Sequence, residues 1–193
     1  MSASWRRWET APRFSPLFGA AIGALGGAVY WLAAQLWPTS IAVVVSMLAT
    51  TLLAAVREPR ADMGTVGWVF TVLIKYNALM ALSAASLPFA LPANLALGVI
   101  MIAGHSCSRA LVVSVKPASL GDVGIALAIG FAPAVLIGMP GLIGLAAAII
   151  ARIAFMAYVK RNRAPVGPAV LAVTLQLTEL CFYLGALAAR AYL

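Results

Sequence analysis

Residues 93–115 read ANLALGVIMIAGHSCSRALVVSV, and only His105 and Arg109 in this run can carry a charge. At 1.5 Å of rise per residue, a helix of this length reaches about 34 Å. That exceeds the hydrocarbon core of a bilayer, about 30 Å. A soluble helix keeps a polar, charged face opposite its apolar one, and this run has none. Six further runs of the same character surround it, at residues 17–37, 41–56, 65–87, 123–138, 142–159 and 169–189. The pattern predicts an all-α polytopic membrane bundle of about seven transmembrane helices, with residues 1–193 as a single membrane domain. The second and fifth runs are short, which predicts tilted or partly re-entrant helices there.

Composition supports lipid as the solvent. The chain of 193 residues is 64% hydrophobic and 9% charged, with a mean hydropathy of +1.02. A soluble domain is about 45–50% apolar and about 25% charged. Spans occupy nearly all the length, so no separate soluble domain is expected. The tail before residue 17 holds three arginines and resembles a signal-peptide n-region, but the apolar run after it is span-length, so a retained first helix is expected. Cys107 and Cys181 lie inside apolar runs, with neither ligand spacing nor a disulfide framework.

The net charge of +8 raises nucleic acid as a partner. The basic residues instead occupy short connectors and form no basic face, so none is expected. Proline and glycine punctuate the runs, as helix termination requires. Connectors one, three and five carry no charge. Arg6, Arg7, Arg13, Arg57, Arg60, Lys116, Lys160, Arg161 and Arg163 all fall in the tail or in connectors two, four and six. Strict alternation of seven helices puts all of these on one side, which predicts a cytoplasmic N-terminus and an outside C-terminus.

Five ionisable residues lie within spans: Lys75, His105, Arg109, Arg152 and Glu179. Charge at that depth costs about 2.5–3.5 kcal/mol on insertion scales and so faces protein or water. Counted from the cytoplasmic ends, Lys75, His105 and Glu179 sit roughly 15–17 Å deep, and Arg109 and Arg152 roughly 9–12 Å deep. Equal depth predicts a Lys75–Glu179 pair. Three roles stand open for the group: a pair that orients helices, a cytoplasm-facing cavity for an anionic ligand, or a proton or ion path. Gln176, Glu179 and Tyr183 share one face of the last helix, and His105 and Arg109 share one face of the fourth. Gly19, Gly23 and Gly27 recur every four residues and allow close approach of a helix, within the chain or across a dimer seam.

No Walker loop, His-Glu-x-x-His, Ser–His–Asp set or dinucleotide glycine pattern occurs. The chain holds five carboxylates: Glu9, Glu58, Asp62, Asp122 and Glu179. Only Glu58 and Asp62 lie close together, with Pro59 between them. They are the candidate metal ligands, against the plainer reading of a solvated loop.

Four stretches together resemble the cobalamin synthase family, the adenosylcobinamide-GDP ribazoletransferases. Residues 13–19 (RFSPLFG) followed by Ile22-Gly23-Ala24-Leu25 resemble the family's Phe-Pro-Leu-x-Gly-x-x-x-Gly helix. Residues 64–67 (GTVG) leading into Leu73-Ile74-Lys75-Tyr76 are similar to the segment after its Asp-Ser-Arg-x-Gly motif. Residues 104–110 (GHSCSRA) are similar to its His-x-x-Ser-Arg stretch. Residues 175–180 (LQLTEL) and 182–185 (FYLG) resemble its final Gln-Leu-Thr-Glu helix.

The resemblance implies a multi-pass protein of the bacterial inner membrane that uses Mg2+. It implies a reaction joining a GDP-activated corrinoid to alpha-ribazole with release of GMP. Carried onto this chain, the substrate-binding candidates are Lys75, His105, Ser108, Arg109 and Glu179, with Arg60 and Lys116 near the cytoplasmic face. Implied partners are the lipid bilayer, a corrinoid nucleotide, and a second copy or an active synthase.

The chain also departs from the family. The acidic His-x-Asp-Gly-x-x-Asp stretch is missing, since residues 52–56 (LLAAV) run directly into residues 57–60 (REPR). Gapless alignment puts Arg60 where the motif's Asp belongs and Asp62 where its Arg belongs, whereas a two-residue insertion would instead give Glu58-Pro59-Arg60. Gly167-Pro168-Ala169 replaces a Thr-Gly-Asp. Losing carboxylates removes the means of holding a metal against two phosphates. Weakened catalysis is therefore expected, with basic groups left to bind a phosphorylated ligand. A paralogue that binds corrinoid intermediates or accompanies an active synthase, and a small transporter using Lys75, His105 and Glu179, are the rival readings.

Overall fold

The structure, a computed structural model, describes residues 12–55, 64–84, 93–115 and 118–190. Regular structure among these residues is helical throughout. A 3-10 turn, Pro12–Phe14, leads into α1 (Ser15–Ala33), followed by α2 (Thr39–Ala55), α3 (Gly64–Ser83), α4 (Ala93–Val113), α5 (Leu120–Leu136), α6 (Met139–Arg161) and α7 (Pro168–Arg190). The turn with α1, and α3, α4, α6 and α7, are long and apolar enough to cross a membrane. Helices α2 and α5, at 17 residues each, are shorter. They reach about 26 Å, less than the roughly 30 Å of a hydrocarbon core.

The first run ends earlier than its apolarity predicts. Helix α1 stops at Ala33, and residues 34–36 form a turn instead of continuing to 37. The turn tightens to 3-10 bonds, with the Gln35 amide donating to the Leu32 carbonyl at 3.2 Å and the Leu36 amide to the Ala33 carbonyl at 3.0 Å, and Pro38 then restricts Trp37 before it. The chain then re-enters a helix at Thr39. The third run was expected to extend to residue 87; α3 ends at Ser83, and residues 85–92 lie outside the described set. The corner between α5 and α6 turns on Gly138, whose φ of 80° and ψ of −145° suit glycine alone. Ser119 caps α5, accepting the Asp122 amide at 3.1 Å. That bond satisfies one of the donors a helix start leaves unpaired.

Helix α4 is the centre of the bundle. It packs against α1, α3, α5, α6 and α7, and α6 and α7 form a second close pair. Glycines set both distances. A methyl group at Gly23 would lie 2.5 Å from the Cα of Ile102, and one at Gly27 would lie 2.6 Å from the Cα of Gly98. One at Gly19 would strike the His105 carbonyl. The pairing 19 with 105, 23 with 102 and 27 with 98 runs in opposite directions along the two helices, so α1 and α4 are antiparallel. The glycine stripe therefore serves packing within the chain. Gly144 and Gly185 do the same for α6 and α7, where a methyl at Gly185 would lie 2.9 Å from the Cα of Gly144.

The outward faces are apolar. Leu32, Leu48, Leu52, Val66, Phe70, Ile150 and Ile153 are each more than half exposed. Such a continuous apolar exterior suits lipid and not water. Polar side chains gather inside: Ser46, Thr50, Lys75, His105, Ser106, Arg109, Thr178 and Glu179 are all buried. Several return their hydroxyls to helix carbonyls, as hydrogen-bond donors must where water is absent. Ser46 donates to the Gly26 carbonyl at 2.7 Å, tying α2 to α1.

Candidate functional site

Lys75 of α3, His105 of α4, and Glu179 and Tyr183 of α7 converge inside the bundle. Each of the first three lies well within its helix. Lys75 and Glu179 are each eleven rises from the start of theirs, about 16 Å. Lys75 Nζ lies 2.5 Å from Glu179 Oε1. The Tyr183 hydroxyl donates to the same oxygen at 3.1 Å. Lys75 Nζ also lies 5.8 Å from the centroid of the Tyr183 ring. A carboxylate in a low-dielectric interior needs such a set, because an unpaired charge there is strongly unfavourable. The expected Lys75–Glu179 pair is present, and its side chains are 11% and 2% exposed.

His105 Nε2 lies 3.3 Å from Glu179 Oε1. That contact lacks hydrogen-bond geometry, and among the described residues neither ring nitrogen of His105 has a hydrogen-bond partner. Gly104 makes the cluster possible. A methyl group there would lie 2.6 Å from the Tyr183 ring, so the ring rests against bare backbone. Gly104 was not singled out from the sequence. A glycine beside the one histidine, inside a helix, is the signal that could have found it.

Arg109 lies one turn from His105 and is 3% exposed. Its Nη1 donates to the His105 carbonyl at 3.3 Å, and its guanidinium stands 5.5 Å from the Phe18 ring centroid. Ser108 turns back on its own helix, donating to the His105 carbonyl at 3.1 Å. Ser106, also buried, donates to the Pro16 carbonyl at 3.1 Å. Five of the sequence-derived candidates, Lys75, His105, Ser108, Arg109 and Glu179, are thus brought together around α4. Glu58, Arg60, Asp62 and Lys116 lie outside the described residues.

Mg2+ does not fit the described side chains. They include two carboxylates, Asp122 and Glu179. Asp122 accepts the Ser119 hydroxyl at 2.8 Å, and Glu179 is held by Lys75 and Tyr183. No group of three His, Cys, Asp or Glu side chains able to hold a metal occurs among the described residues.

The four stretches that carry the family resemblance meet here. Pro16, Phe18 and Gly19 from the first touch Ser106, Arg109 and His105 of the third. Lys75 of the second and Glu179 and Tyr183 of the fourth complete the ring.

Comparison with known proteins gives two partial likenesses. The chain is 30% identical over 132 residues to an adenosylcobinamide-GDP ribazoletransferase of Ralstonia nicotianae, covering 54% of this chain and 48% of that protein. It is 50% identical over 42 residues to the protein of the same name from Leptothrix cholodnii, covering 22% of this chain and 16% of that one. The chain thus spans about half the length of the first relative, and less of the second. No family model matches, and no solved structure matches.

Proposed function

We propose that this chain is a cobalamin-synthase-like membrane protein that binds a GDP-activated corrinoid at the cytoplasmic end of its bundle. One observation carries the reading. Four stretches, separated by up to about 160 residues of sequence, resemble one family and surround one buried polar cluster. Chance likeness to four unrelated helices would not need them to meet. The two partial matches to ribazoletransferases point the same way.

In this reading Arg60, Arg109 and Lys116 supply positive charge for the diphosphate, since guanidinium groups bind phosphate oxygens through paired, charge-assisted bonds. Lys75, Glu179 and Tyr183 hold α3 and α7 against α4 and so keep Arg109 in place. The implied reaction is attack of an alpha-ribazole hydroxyl on the corrinoid-bearing phosphorus, with GMP leaving. Mg2+ would neutralise the leaving phosphate, and Glu58 and Asp62 are the side chains left to hold it. Two carboxylates separated by a proline would hold an ion that is mostly water-coordinated, so binding without efficient turnover is the expected behaviour of the chain alone.

The test is direct. Purified protein is mixed with adenosylcobinamide-GDP, alpha-ribazole and Mg2+, and both binding and GMP release are followed. Binding should occur, Arg60→Ala should weaken it about tenfold through loss of one charge-assisted contact, and GMP should not accumulate. Metal-dependent GMP release that Asp62→Asn abolishes would make the chain an enzyme with a reduced site. Absence of binding would remove the corrinoid reading altogether.

A further inference from the structure

We propose that a water-filled vestibule enters the bundle from its basic end, beneath α2, and reaches Lys75. It deepens the corrinoid reading by giving a hydrophilic ligand a route to the buried cluster, and it rests on that reading only for the ligand's identity.

Helix levels carry the inference. A methyl group at Gly19 would strike the His105 carbonyl, so these two residues share a level. Helix α2 packs beside α1 and α3. Its Ser46 and Thr50 both meet Gly26. From the midpoint of that contact to Ala55 is seven residues, and from Gly26 back to Gly19 is also seven. Helix α2 therefore comes down to the level of His105 at Ala55. Lys75 and Glu179, at the same level, lie about 16 Å from the starts of α3 and α7. A helix carried on to Glu58, where Pro59 stops it, would still leave roughly 11 Å of depth without α2.

The sequence rules out lipid as the filling. The chain leaves α2 at the level of His105 and enters α3 at Gly64, about 16 Å nearer the basic end. Between those two points it carries Arg57, Glu58, Arg60 and Asp62. Charges of both signs at such depth need protein or water around them. The positive-inside rule accounts for the two cations, but not for the two carboxylates or for the depth.

Helix α3 borders the same space. Val66, Phe70 and Leu73 point away from Lys75 and are 70%, 60% and 50% exposed, as suits lipid. Gly64, Trp68, Thr71 and Val72 share the Lys75 side of the helix. The described helices leave that side open, since Trp68 and Val72 each keep 37% of their surface. Lys75 stands at the head of this face. Its side chain is 11% exposed and that of Glu179 is 2% exposed, so the ion pair is approached through its lysine.

The test is thiol labelling in inside-out membrane vesicles, in the C107A/C181A background and without any corrinoid. A sulfonated, membrane-impermeant maleimide reports water, because a thiol reacts as its hydrated thiolate. T71C should label within about tenfold of N162C in the exposed connector, and F70C about a hundredfold more slowly. Thr71 is the more covered of the two, so exposure to lipid alone predicts the reverse order. V72C should follow T71C, which keeps the test decisive where T71C fails to fold. The proposal is overturned if T71C and V72C are as slow as F70C, since lipid or packed protein then fills the space. It is also overturned if they label only from the opposite membrane face. Corrinoid binding that fails while T71C and V72C still label would remove the corrinoid reading and leave the vestibule standing.

Discussion

At the scale of single residues, the buried ion pair dominates. Lys75 and Tyr183 satisfy one oxygen of the Glu179 carboxylate between them, with His105 against its side. Removing one charge leaves the other stranded in a dry interior, at a cost of about 3–5 kcal/mol. Lys75→Met and Glu179→Gln should each lower the melting point of the detergent-solubilised protein, and the double variant should recover part of the loss. Strictly additive losses in that cycle would mean that the pair contributes nothing jointly. Tyr183→Phe should cost less, about 1 kcal/mol, because one neutral donor is lost while the lysine remains. Depth counting made Lys75 and Glu179 legible from the sequence, since matched distances from helix ends put two opposite charges at one level. Gly104 was not legible in that way. Its role depends on a ring from α7 resting against it, which no local pattern in α4 records.

At the scale of elements, the α1–α4 seam decides whether the site assembles. It brings Phe18 and Gly19 against Arg109 and His105. Without strong hydrophobic driving force in lipid, such helices associate by close backbone packing. Gly23→Ala and Gly27→Ala add a methyl group against backbone atoms that cannot move aside, and each should destabilise by about 1–3 kcal/mol. Gly124→Ala is the control, since a methyl group there meets nothing within 4 Å. A thermal shift equal in all three variants would mean that the seam is loose. The glycine period of four showed that some helix comes close to α1. Which helix it was could not be read, because the facing surface of α4 contains one glycine, Gly98, and otherwise meets the stripe with the backbone of Met101, Ile102 and His105 and the side chains of Met101 and Arg109, which form no small-residue repeat. The limits of the apolar runs were legible wherever a proline or glycine broke the helix. The exceptions were the end of α1, where Leu36 and Trp37 are apolar yet lie beyond the helix, the start of α5 at Leu120 in place of residue 123, and the start of α6, where Met139, Pro140 and Gly141, expected in a connector, form the first turn.

At the scale of the whole molecule, charge distribution orients the bundle. Ser114, just past the end of α4, accepts a hydrogen bond from Arg152 in the second half of α6, so the end of α4 lies toward the end of α6 that carries Lys160 and Arg161. The start of α1 lies there too, through the antiparallel seam. Arg13, Lys160, Arg161 and Arg163 therefore cluster at one end, and the positive-inside rule predicts that this end faces the cytoplasm. A reporter fused after Arg163 should show cytoplasmic behaviour and one fused after Leu193 periplasmic behaviour. The same side for both would mean that α7 does not cross.

The seam between α1 and α4 also sets a timetable for synthesis. Gly27 meets Gly98, which is translated about 70 residues later. At about 5–20 residues per second, roughly 4–14 seconds separate the two. During that interval the glycine stripe of α1 lies open in the membrane, with α2 and α3 as its available neighbours. Its small-residue surface is of the kind that pairs with other helices. A chain arrested before α4 would thus present an adhesive helix to the bilayer, and quality control at the translocon has a defined window in which to recognise it.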